Sequence, residues 1–199
     1  MGYMAVTPTQ APTGTAQRIL DVAERLVQDR GYNGFSYADI AAELGIAKAS
    51  LHYHFAGKAE LGEALIERYS ARFSEALESI DDTVAGAGAK LEAYANLYTD
   101  VLRGDRMCLC GMLAAEYQTL PPPMRASVIR FFDANTIWLA SVLTDGRAER
   151  TLSFTGSPAE TAQTVLSALQ GAMLVARPYG DLARFQAAAA HTLASLSSR

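Results

Sequence analysis

An apolar period of 3.6 residues recurs along this chain and is cut, each time, by glycine or proline, and nothing else in the sequence limits the fold as strongly. Ile19, Val22, Ala23, Leu26 and Val27 fall at i, i+3, i+4, i+7 and i+8, one stripe of a helix from Thr15 to about Arg30. Arg18, Asp21, Glu24 and Arg25 lie largely off that stripe, and Gly31 stops the helix. Strand alternation is nearly absent. The chain is therefore expected to be all-α.

Beyond Gly31 the segments shorten. Ser36 stands three residues before Asp39, a capping-box start for a helix carrying Ile40, Ala41 and Leu44. Gly45 ends it, and a second short helix follows from Ala47 to Phe55 with Leu51 and Phe55 inward. Two short helices hinged at a glycine behind a longer one form a helix-turn-helix pattern over about residues 36–55. Ala56-Gly57 breaks the chain before a long helix from Lys58 to about Ile80, with Leu61, Leu65, Tyr69, Phe73, Leu77 and Ile80 on its inner face. Asp81 to Ala89 reads as a loop, followed by helices over about 90–103, 107–119, 122–143, 158–177 and 180–197. Pro121 to Pro123 separate two of these, and Asp145 to Ser157 is the longest loop, with Leu152 and Phe154 placed to pin it. The expected organisation is a tail over 1–14, a three-helix helix-turn-helix domain over 15–57, and a larger helical region over 58–199.

Half of the 199 residues are hydrophobic and 19% are charged, enough apolar matter for a core and too little charge for a disordered chain. No apolar run is long enough to span a bilayer, and residues 1–14 lack the charge and apolar stretch of a targeting signal, which points to a cytoplasmic protein. The net charge of −4 argues against nucleic acid only as an average. Residues 1–58 hold five basic and five acidic side chains, whereas the remainder holds 12 and 16. From Leu44 to Ala59 there are two Lys, two His and no acid, so the second short helix can approach a major groove without repelling phosphate.

Residues 35–61 read FSYADIAAELGIAKASLHYHFAGKAEL. With the upstream helix ending in Gly-Tyr, the fixed offsets of Ser-x-x-Asp-Ile-Ala, Leu-Gly-Ile, Leu-x-Tyr-His-Phe and Lys-x-x-Leu resemble the DNA-binding module of the TetR family of transcriptional regulators, over roughly residues 15–65. Lys48, Ala49 and Ser50 begin the recognition helix and point at base edges, with His52 a turn on; Ser50 also reaches phosphate. Tyr53 and His54 resemble the family's backbone-contacting pair, although Tyr53 packed against the first helix is an alternative. Ser36 and Tyr37 are placed to bind phosphate through hydroxyls and N–H groups. Lys58 resembles a phosphate contact that also ties the module to the next helix. His52 departs from the Tyr that many relatives carry.

The resemblance implies that the larger half dimerises and binds a small effector. Val165, Leu169, Ala172, Met173 and Ala176 form one apolar edge, and Leu182, Phe185, Ala189, Leu193 and Leu196 another. These suit a four-helix interface between two copies, with one edge alternatively serving as core within the chain. Polar, aromatic or sulfur-bearing residues inside apolar helices are the pocket candidates: Tyr94, Tyr98, Cys108, Glu116, Tyr117, Asn135, Trp138 and Gln170. Cys108 and Cys110 are alternatively core sulfur or a thiol sensor near Arg103 and Arg106. His52 and His54, two apart, face away from each other on a helix and make no metal pair; no catalytic constellation, phosphate loop or cofactor motif stands out. The expected function is a homodimeric repressor of a palindromic DNA operator, released by a small molecule. An activator on the same fold, or a thiol-responsive regulator, stays open.

Overall fold

A computed structural model describes residues 14–197; the tail expected over 1–14 lies outside them, except Gly14, which opens the first helix. Nine α-helices make up the described residues: α1 Gly14–Arg30, α2 Tyr37–Leu44, α3 Lys48–His54, α4 Lys58–Thr83, α5 Ala87–Arg103, α6 Leu109–Ala115, α7 Pro122–Ala148, α8 Pro158–Ala176 and α9 Leu182–Ala194. The only β pairing among them is an isolated bridge between Leu152 and Ser197. The chain is all-α, with a three-helix module at its start and a larger helical bundle behind it. No helix among these residues is long and apolar enough to cross a membrane.

The stripe on α1 is buried, as its period requires, with Ile19 and Ala23 fully inside. Glu24 and Gln28 are buried as well, which the stripe alone did not indicate. For Glu24 the reason lies on α4, where Arg68 and Arg72 reach it at 2.7 and 2.5 Å, and Arg68 also meets Asp21 at 2.7 Å. A buried carboxylate is tolerated when a guanidinium neutralises it, so this network fixes α1 on α4. All six apolar positions expected to face inward on α4 do so.

Several helix ends differ from the sequence reading. The supposed loop over 81–89 shrinks to Val84–Gly86, because α4 continues to Thr83 and α5 begins at Ala87. Asp81 is held there by Trp138 Nε1 at 2.8 Å and Lys90 Nζ at 2.6 Å. Burial alone would raise the Asp81 carboxyl, but those two donors hold it below its ordinary value. The helix expected over 107–119 starts at Leu109 and tightens into a 3₁₀ turn over Tyr117–Thr119. The helix expected to end at 143 runs to Ala148, with Arg147 lying over the Phe154 ring and donating to the carbonyls of Phe154 and Gly156. Leu152 is buried and Ser153 N–H meets Leu196 O at 2.8 Å, so the connection before α8 is pinned from both sides.

The two apolar edges of the last helices turn inward. Val165, Leu169, Met173 and Ala176 of α8 and Phe185 and Ala189 of α9 are buried within the single chain. They are intrachain core, not the dimer faces the sequence reading made of them, because α8 packs between α7 and α9 and needs its apolar side for both. The surfaces left open on the same helices carry Ser167, Gly171, Leu174 and Val175 on α8, and Ala187, Ala190 and Ala194 on α9.

Candidate nucleic-acid interface

Local chemistry sets the angle between α2 and α3. Ser36 N–H and its hydroxyl both donate to Asp39 Oδ2 at 2.7 Å, while the Ser36 hydroxyl accepts from Ala38 N–H at 3.2 Å. At the other end Gly45 takes φ +65°, a left-handed conformation that costs a side chain about 1 kcal/mol or more. Its N–H meets Ala42 O at 3.4 Å and that of Ile46 meets Ala41 O at 3.1 Å, a Schellman closure that turns the chain into α3.

On α3, Leu51 is fully buried and anchors the helix on the module, with Phe55 buried just beyond. Lys48, Ala49, His52 and Tyr53 are exposed, and Ser50 and His54 half-buried. Tyr53 is 85% exposed, so it does not pack on α1; its ring meets His54, edge-on at 5.1 Å. The His52 ring is held by Ala56 O at 3.2 Å from Nδ1 and by the Tyr37 ring at 4.9 Å, which directs its other nitrogen away from that carbonyl. The result is an exposed, acid-free helix face bearing a cation, an imidazole and a phenol.

Three residues assigned to phosphate have partners inside the protein. The Ser36 hydroxyl belongs to the capping box, and the Tyr37 hydroxyl donates to Phe55 O at 3.0 Å. Burial and the nearby Glu60 push the Tyr37 phenol up to about 12, so it stays a neutral donor. Lys58 Nζ donates to Phe35 O and lies over the Tyr32 and Phe35 rings. Burial lowers this ammonium from its ordinary value, only partly offset by Glu116 and Asp39. In this geometry Lys58 joins α4 to the turn before α2.

The pocket candidates fall into separate groups. Tyr94 and Tyr98 are fully buried; Tyr98 meets Tyr94 at 2.8 Å, and the Tyr94 hydroxyl donates to Asn135 Oδ1 at 2.9 Å. Asn135 Nδ2 returns to Phe131 O at 2.8 Å, and Trp138 stacks on Tyr94 at 5.5 Å. Burial pushes both phenols well above their ordinary values, so the set is a neutral polar seam in an aromatic core. Cys108 is fully buried and accepts from the Tyr69 hydroxyl at 3.6 Å. Asn135, Phe73 and Phe131 form the floor of a groove of about 470 Å³ between α4 and α7, rimmed by Glu63, Glu67, Ser70, Ser127 and Arg130. Those rim residues were absent from the sequence reading, though Glu63, Glu67 and Ser70 recur at helical spacing beside the inner stripe of α4.

Glu116 and Tyr117 sit elsewhere. The Glu116 carboxylate accepts from the N–H groups of Tyr32 and Asn33 at 2.5 and 3.2 Å and from Asn33 Nδ2 at 3.2 Å, gripping the turn after α1. Tyr117 lies under the Arg125 guanidinium. Gln170 is half-buried beside Gly111, with its Nε2 closed off from solvent and unpartnered among the described residues.

Residues 19–65 match the profile of the family described as bacterial regulatory proteins, tetR family, and residues 87–192 match that of the tetracyclin repressor-like C-terminal domain. A solved TetR-family transcriptional regulator from Agrobacterium tumefaciens superposes with a TM-score of 0.89 at 32% identity, covering 92% of this chain and 97% of that one. A TetR transcriptional regulator from Legionella pneumophila gives 0.84 at 30% identity, over 95% of this chain and 100% of its own. The HTH-type transcriptional repressor NemR of Escherichia coli K12 is 25% identical over 183 residues, 89% of this chain and 91% of the relative.

Proposed function

The chain belongs to the TetR family of bacterial regulatory proteins, a DNA-binding regulator and not an enzyme, and from that premise we propose that it is a repressor. In this reading two copies bind a palindromic DNA operator through α3, and a small molecule releases them. The observation that carries the DNA side is the exposed, acid-free face of α3, with Lys48 and the 85%-exposed Tyr53 at opposite ends of it. Lys48 and Ser50 read base edges while Tyr53 and His54 hold the backbone, and His52 adds a donor between them.

The effector side rests on the groove between α4 and α7, whose volume of about 470 Å³ lies in the range of small-molecule sites. Its floor of Phe73, Phe131 and Asn135 and its polar rim suit a compact ligand with one or two hydrogen-bonding groups. α4 is the transmitting element, because it lines that groove and also holds α1 through Arg68 and Arg72. A ligand that favours a different α4 position alters the spacing of the two recognition helices, which must stay near 34–36 Å to meet successive major grooves.

Footprinting on the DNA flanking the gene tests the reading, with Lys48→Ala/Tyr53→Ala as the partner experiment. A protected palindrome, lost in the double variant while the dimer persists, is the expected result. Equal protection by the double variant would remove α3 from the interface as drawn. Transcription that falls when the gene is deleted would make the protein an activator.

A further inference from the structure

Six residues from three distant parts of the chain enclose a second cleft of about 390 Å³: Arg25 and Asp29 on α1, Gly104, Asp105 and Arg106 in the turn after α5, and Arg177 just after α8. Three of the six are arginines, in a chain whose net charge is −4. Guanidiniums gathered in one half-buried cleft repel one another and lose hydration, a cost that acceptors must offset. Arg25 has its acceptors, Asp29 at 3.3 Å and Glu43. The other two keep N–H donors that no protein acceptor among the described residues takes and that stay open to solvent. Arg177 donates to Asp29 O at 2.6 Å but turns Nη1 towards the Met112 thioether at 3.4 Å, a weak acceptor. The Arg106 guanidinium makes one long hydrogen bond among the described residues, to Gln28 Oε1 at 3.4 Å.

The backbone makes room for this arrangement. A Cβ at Gly104 would lie 3.0 Å from Arg106 Nε and 3.1 Å from Nη2, so the absent side chain lets the guanidinium fold over the turn. Asp29 is already engaged by Arg25, which leaves Asp105 as the one lining carboxylate outside an ion pair among the described residues.

The geometry points to an anion site in this cleft, taking a small phosphate- or carboxylate-bearing molecule between Arg106 and Arg177. Guanidiniums clamp such groups through paired N–H donors, and these two have donors to spare. The site is distinct from the groove between α4 and α7. One wall is α1 and the others belong to the larger half, so a bound anion ties the DNA-binding module to the bundle.

The test uses the full-length protein without DNA. Inorganic phosphate and, separately, citrate are titrated at an ionic strength held constant with sodium chloride, and Tm is read against anion concentration. The expected result is a saturable rise in Tm whose apparent affinity drops by about tenfold or more in Arg106→Gln. Gly104→Ala, which pushes the same guanidinium aside without removing it, should weaken the rise too. Because phosphate stabilises proteins generally, a non-saturating rise that is equal in wild type and Arg106→Gln would overturn the proposal, as would no rise. A non-operator duplex that raises Tm through Arg106 when phosphate and citrate do not would assign the cleft to DNA backbone and overturn the small-molecule reading.

Discussion

Glu116 shows how far a side chain's role can lie from its local sequence. Among apolar neighbours it resembled a pocket carboxylate, yet its oxygens serve the turn after α1, more than 80 residues upstream. Glu116→Gln keeps the shape but leaves a single oxygen for backbone N–H groups that a carboxylate satisfies with two. Urea unfolding should place the variant roughly 1–2 kcal/mol below wild type, the scale of a hydrogen bond to a charged group on a partly exposed site. Equal stability would mean that water replaces the carboxylate without loss. Burial also governs the two cysteines. Both are fully buried, and burial pushes the Cys110 thiol well up, so Cys110 is poorly suited to form a thiolate. Under the thiol-responsive alternative, Cys108→Ser should abolish release of operator DNA by hydrogen peroxide, which takes a single thiol to a sulfenic acid, and Cys110→Ser should preserve it, measured by gel shift. A wild-type complex that ignores peroxide removes the alternative.

At the scale of elements, what was legible was what is local. The capping box at Ser36, the stop at Gly45 and the inner stripe of α4 each act within a turn or two of their own sequence, and each stands where the period placed it. The ends of α4 and α7 were not legible, because Trp138 and Lys90 hold the first and contacts to Phe154 and Gly156 hold the second. Two predictions belong here. Gly45→Ala forces a side chain into the left-handed region, and should cost about 1 kcal/mol in urea unfolding. Operator affinity measured by anisotropy should fall by more than that, since the same turn aims α3; a loss no larger than the stability change would separate the turn from docking. Asp39 supplies a pH signature. Hydrogen bonds from the Ser36 hydroxyl and N–H hold its carboxyl below the ordinary value. The α2 cap is therefore fully formed above the ordinary carboxylate pKa and is lost as pH falls through the lowered one. Asp39→Asn should flatten this acid limb of stability, read as Tm against pH, and an unchanged limb would assign it to other carboxylates.

At the scale of the whole molecule, the charge average concealed the division that matters. The recognition helix carries no acid, while the excess of acid lies behind it. In the proposed reading few cations face DNA on one copy, so binding strength comes from two half-sites engaged together. That makes the dimer surface as important as α3. The apolar edges that the sequence advertised on the last two helices are consumed by the chain's own core, so the surface proposed for a second copy is their outer faces. Leu174 and Val175 stand 60% and 63% exposed there, beside Ser167 and Gly171, small residues that permit close helix approach. Leu174→Glu/Val175→Glu places two like charges on that face without disturbing intrachain packing. Light scattering should then report a monomer with helical content unchanged, and operator affinity should fall by about 100-fold or more as the second half-site stops contributing. A variant that stays dimeric would move the interface off α8. A monomer that kept full affinity would break the link drawn here between sparse charge on α3 and paired binding.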